Sequence, residues 1–110
     1  MNNFDAMLEQ IKKSAAKRII ESEHCINKRF FTNISKDDIL NVIFNGIIIE
    51  NYPEDKRGRS CLMARQIQGK MIHVCCSPKE DHLKLITVYQ ANNDVFENDL
   101  ITRRKRGDKS

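Results

Sequence analysis

Tryptophan is absent from this chain, and two tyrosines with five phenylalanines bring the aromatic share to only 6%. That scarcity argues against an extended platform of stacked rings for single-stranded nucleic acid. No apolar run approaches the roughly 20 residues that span a bilayer, and the opening "MNNFDAMLEQ" lacks the basic start and apolar centre of a secretory signal. A cytoplasmic protein with no membrane association is therefore expected. No Gly-rich phosphate loop, nucleophile elbow or H-E-x-x-H motif occurs, which leaves nucleotide hydrolysis, acyl transfer and zinc proteolysis without support. Internal repeats and long linkers are missing as well.

The four cysteines show no C-x-x-C pairing. Cys75 and Cys76 are adjacent in a strand-like run, so their side chains leave on opposite faces and cannot share one metal. Small buried thiols in a reducing compartment are the plain expectation. A zinc site from His24, Cys25, His73 and Cys75 is conceivable on ligand type alone, and no metal or other cofactor is assigned.

What is present suits a soluble domain: 110 residues, 40% apolar and 31% charged. The net charge of +4 is concentrated in the end "RRKRGDKS", and the rest of the chain is balanced. The expected organisation is one domain over residues 1–102 and a basic tail over 103–110. Positive charge gathered in one place suits phosphate or an acidic partner, although a solvated chain end looks the same.

Periodicity divides the chain in two. Phe4, Met7, Leu8, Ile11 and Ala15 recur at helical spacing over residues 4–16. "KRIIE" interrupts that period as a bend or short extended piece. Ser22 can cap a second helix over residues 23–31, and Ser35 with Asp38 forms a capping box for a third. Ile39, Leu40, Ile43 and Phe44 make the third helix's stripe, and Gly46 is read as its left-handed stop. Strand-like runs follow at 47–52, 60–67, 71–77 and 83–90, with Gln68, Gly69 and Lys70 between the middle two as a short hairpin turn. Helices first and strands after predict an α+β fold, with the helices on one face of a four-stranded antiparallel meander. Alternation sends Ile72, Val74 and Cys76 to the helices and Met71, His73, Cys75 and Ser77 to the other face. It likewise sends Ile86 and Val88 inward and Leu85, Thr87 and Tyr89 outward.

The stretches "SEHCINKRFFTNIS", "IFNGIIIENYPEDK", "SCLM", "IHV", "LITVYQ" and "VFENDLITRRKR" occur in an order and spacing that resembles the bacterial family called domain of unknown function 4258. The resemblance covers roughly residues 8–106. It implies kinship with RelE-type and BrnT-type toxins, small ribonucleases of type II toxin–antitoxin systems whose helices cover one side of an antiparallel sheet, with a short C-terminal helix or turn. It also implies a cognate antitoxin as partner. By position, His24, Tyr52, Ser60, His73 and Tyr89 match polar positions of the family pattern. Cys25 stands for its usual Ala, Lys28 for an Arg (with Arg29 one place on), Thr32 for a second Arg, Ala91 for a Pro and Phe96 for a Trp. Losing an arginine matters because its planar fork binds phosphate as lysine does not.

Cleaving RNA without a metal needs a base for the 2′-hydroxyl, an acid for the leaving oxygen and cations for the developing charge. Histidine's ordinary pKa suits the first two roles. His73 on the open face near Tyr89 is the favoured acid or base; the plainer alternative is a strand histidine making one hydrogen bond. His24 is its candidate complement, with Lys28 one helical turn below it as a cation for phosphate; the alternative is a ring packed at a helix start. His82, beside Asp81 in a loop, reads as a solvated side chain. For nucleic-acid contact the candidates are Arg29, Arg103, Arg104, Lys105 and Arg106, with Tyr52 and Ser60 beside them. Two functions follow as expectations. One is a toxin-family protein that binds RNA, such as ribosome-associated mRNA, as a metal-independent endoribonuclease held inactive by an antitoxin. The other is a non-catalytic interaction module, a degenerate relative that binds protein or nucleic acid.

Overall fold

A computed structural model describes residues 3–56 and 58–103. Three helices precede most of the sheet: α1 (Asn3–Lys17), α2 (Glu23–Thr32) and α3 (Lys36–Asn45). The strands are β1 (Ile19–Glu21), β2 (Ile47–Tyr52), β3 (Ser60–Ile67), β4 (Lys70–Pro78) and β5 (Leu83–Gln90). The mixed α+β class holds, and β2 to β5 form the expected antiparallel meander. The sheet has five strands rather than four, in the order β1-β5-β4-β3-β2. The added one is "IIE", which lies parallel to β5 at the sheet edge. Three residues are too few to show alternation, and a parallel partner more than 60 residues away leaves no local sign.

The helix starts follow the expected chemistry. Ser22 Oγ accepts from the Cys25 amide at 3.0 Å and donates to the Ile86 carbonyl at 2.8 Å, so one hydroxyl caps α2 and ties it to β5. Ser35 and Asp38 close the capping box of α3 in both directions. The stop of α3 differs from the expectation. Gly46 is extended (φ −83°, ψ −176°), not left-handed. Glycine is needed there for space: a Cβ would stand 2.4 Å from the Val42 carbonyl oxygen and 2.7 Å from that of Ala64. The left-handed stop belongs to α2, at Asn33 (φ 58°). Between β3 and β4, Gln68 (φ 50°) and Gly69 (φ 81°) both have positive φ, the signature of a two-residue hairpin turn.

One buried layer joins Met7 and Ile11 of α1, Cys25 of α2 and Val42 and Ile43 of α3 to Met63, Ile72, Val74, Cys76, Leu85 and Val88 of the sheet. The opposite face carries a second, smaller cluster built on Leu62, Cys75, Ile86, Ala91 and Phe96. The face assignment for β4 therefore holds. On β5 it is corrected: Leu85 points to the helices and Ile86 away from them. A bulge between Cys75 and Cys76 pairs Cys75 with Thr87 but Cys76 with Leu85, so the alternation slips by one residue. After β5 the described residues take the turn form of the expected helix or turn. Residues 92–103 cross the second face as turns, closed by an antiparallel bridge between Phe96 and Arg103.

Candidate functional site

The second face of the sheet is where polar groups gather. A bulge between Ile48 and Glu50 sets Glu50 opposite Leu62, on this face, and Tyr52 follows two residues on. His73 and Tyr89 are direct cross-strand partners on β4 and β5. The segment after β5 lays Phe96, Leu100 and Arg103 over them. Five short pieces of chain thus meet at one place.

Arg103 is its centre. The guanidinium donates to both carboxylate oxygens of Glu50, at 2.9 and 3.0 Å, across 53 residues of sequence. It also lies 5.0 Å from the centroid of the Phe96 ring, a cation over an aromatic face. The Tyr52 hydroxyl donates to the same carboxylate. Burial alone would raise the Glu50 carboxyl; the hydrogen bonds from Arg103 and Tyr52 overcome it and hold the group below its ordinary 4.5. Tyr52 is pushed upward by burial and by donating to that carboxylate. Arg103 is raised further by Glu50. Beside this pair lies a hollow of about 240 Å³, lined by Tyr89, Gln90, Asn92, Val95, Phe96 and Arg103.

His73 lies beneath, with 0% of its surface exposed. Its Nε2 is 2.8 Å from the Leu100 carbonyl oxygen, which can only accept, so Nε2 carries the proton. Nδ1 then accepts from the Tyr89 hydroxyl at 3.2 Å. The ring meets Phe96 edge-on, centroids 4.6 Å apart. Burial pushes its pKa below the ordinary value; the bond to Leu100 and the Glu50 charge resist, and Arg103 adds to the lowering. Leu100 holds its carbonyl in place with φ at 58°, a left-handed conformation that costs a non-glycine residue about 1–2 kcal/mol. A neutral, fully bonded histidine fastens the covering segment to the sheet.

The other candidates are scattered. His24 is exposed on α2 and shares no cleft with the buried His73. The Lys28 carbonyl accepts from the Thr32 hydroxyl, so the residue at the second usual arginine position folds back on its own helix. Arg29 is paired with Glu21 at 3.0 Å. Ser60 is buried and donates to Asp55 at 2.7 Å. Arg104, Lys105 and Arg106 lie outside the described residues. Glu50, Gln90 and Asn92 were not singled out from the sequence. The alternation in "IIIENY", which puts Glu50 and Tyr52 on one face, was the available sign for the first.

All four cysteines are buried free thiols. Cys61 and Cys76 are 3.9 Å apart at sulfur on the helix side. The ligand set conceived for zinc is split, because Cys25 belongs to the helix-side layer and Cys75 to the opposite cluster. Among the described residues no three His, Cys, Asp or Glu side chains form a group able to hold a metal. No described helix is long and apolar enough to cross a membrane.

A family model described as a domain of unknown function (DUF4258) matches residues 22–90, and the chain belongs to that family. The match begins at the Ser22 cap and ends with β5. No curated protein and no solved structure matches the chain.

Proposed function

We propose that this member of a family whose description assigns no function is an RNA-binding protein of the RelE and BrnT toxin type, taking single-stranded RNA across the second face of its sheet. The observation that carries the reading is Arg103, held bidentate on Glu50 and over Phe96 at the rim of the Tyr89 hollow. A phosphate offers a guanidinium fork the same two oxygens as the carboxylate it would replace. The Tyr89 ring can meet a base, and the Gln90 and Asn92 amides can read its edge. Arg104, Lys105 and Arg106 follow directly in sequence and extend the charge along a strand of RNA. A cognate antitoxin remains part of this reading.

A second reading, the module that binds without cleaving, is favoured by two observations. Both ring nitrogens of His73 are engaged under the covering segment, and Glu50 is held below its ordinary pKa, which weakens it as a base. Anisotropy with a labelled single-stranded RNA tests binding, and incubation with mRNA, with and without ribosomes, tests cleavage. The chain is expected to bind RNA in a salt-sensitive manner. Failure to bind at low salt overturns both RNA readings. Cleavage with growth arrest on expression selects the toxin, and binding without either selects the module.

A further inference from the structure

The feature that the RNA reading does not use lies on the helix side. Phe30 and Phe31 of α2 are 76% and 90% exposed, and Ile26, Leu40 and Phe44 are also exposed. Two large aromatic side chains left in water on one short helix are unusual in a chain with five phenylalanines. Neither ring lines it, but a groove of about 450 Å³ runs between α2 and α3, floored by β1 and by Leu85 of β5. Ile26 and Leu40 stand on its two walls, and each is followed four residues later by an exposed phenylalanine, Phe30 and Phe44. On helices, that spacing continues one apolar row from each wall.

We infer that this groove docks an amphipathic helix of a different protein, one with an apolar stripe and acidic flanks. The helical form follows from the two apolar rows, which offer successive pockets to residues at i, i+3 or i+4 and i+7. The acidic flanks follow from charge. Arg18 and Lys36 line the groove, and the one acid that lines it, Glu21, is already neutralised by Arg29 at 3.0 and 3.4 Å. Asp37 and Asp38 follow Lys36 without lining the groove, and Asp38 is turned back to cap α3. Asp81 lies within electrostatic reach of Arg18 but does not line the groove, and the charge left on the lining residues themselves is positive. A second copy of this chain would bring the same cations against themselves, because a two-fold interface presents one patch to its own image. A hetero partner meets no such repulsion. This inference is independent of the RNA reading: the groove and the Arg103 cluster share no residue.

The test is selection from a displayed library of random peptides on the full chain, with Phe30→Asp as counter-target and light scattering of the free protein. Phe30 is exposed, so the variant is expected to keep the wild-type circular dichroism and melting temperature. Enriched peptides should carry apolar residues at helical spacing and an excess of Asp and Glu. Made synthetically, they should gain helical signal on binding and bind Phe30→Asp and Leu40→Asp at least tenfold more weakly. Arg18→Glu with Lys36→Glu should reverse the charge preference. Enrichment of alternating, strand-like peptides or of Lys and Arg would overturn the inference, as would peptides indifferent to Phe30→Asp or no enrichment at all. A dimer of the free chain that Phe30→Asp dissolves would overturn it in favour of a second copy.

Discussion

His73 is the residue on which the chemistry was expected to turn, and its surroundings give it a different task. Two hydrogen bonds and a close Phe96 ring make it a buried polar rivet between β4 and the covering segment. Removing it leaves the Leu100 carbonyl and the Tyr89 hydroxyl short of a partner, so His73→Ala should cost about 2–4 kcal/mol by chemical denaturation. The pH dependence has a definite sign. The folded pKa lies below the ordinary 6.5, so the unfolded chain binds the proton first as pH falls. The histidine's contribution is complete above the ordinary value and is lost as pH falls from there toward the folded value. Glu50 acts in the same direction in a lower window, below the ordinary 4.5. A denaturation series over pH should show the upper step in the wild type and not in His73→Gln. Glu50→Gln separates competition with the ligand from direct contact with it. It removes the carboxylate that holds Arg103, so RNA should bind about two- to fivefold more tightly, the worth of a half-exposed ion pair. A loss of affinity instead would mean that Glu50 itself holds the ligand.

At the scale of elements, the backbone rather than the side chain sets the limits. Gly46→Ala drives a methyl group onto two carbonyl oxygens, neither of which can swing aside, and should destabilise the chain by about 1–3 kcal/mol. Ser35→Ala removes half of a capping box and should cost about 0.5–2 kcal/mol, with both values read from denaturant midpoints. These elements also show what sequence could tell. The capping serines and the hairpin at Gln68 and Gly69 are local signals and are found; the helical stripes are found in part, since Ile39 and Ile43 of α3 are buried but Leu40 and Phe44 are exposed and Val42 is buried in their stead. β1 was read as a bend or short extended piece, and its place in the sheet escaped because its partner is remote and its length three residues. The slip on β5 escaped because a bulge leaves no mark in a run such as "LKLITVYQ". The conformation of Gly46 escaped because the obstacle is Ala64, on another strand.

For the whole molecule, the sheet divides two surfaces with different offers. One carries a carboxylate and a histidine under a covering segment that contributes an arginine and an aromatic ring. The other ends in an apolar groove between α2 and α3. The sequence marked Arg103 by its place in a basic run, His73 by alternation and Tyr52 by its match to the family pattern. It could not show that Glu50 and Arg103 meet, because that contact spans 53 residues and depends on the turns after β5. The central claim is that Arg103 binds RNA phosphate on this face. The most direct measurement is a salt titration of single-stranded RNA binding, followed by anisotropy, for the wild type and Arg103→Ala. The variant is expected to bind about tenfold more weakly, with a log–log salt slope shallower by about 0.7, one phosphate contact on a single strand. Equal affinities and equal slopes would contradict the claim.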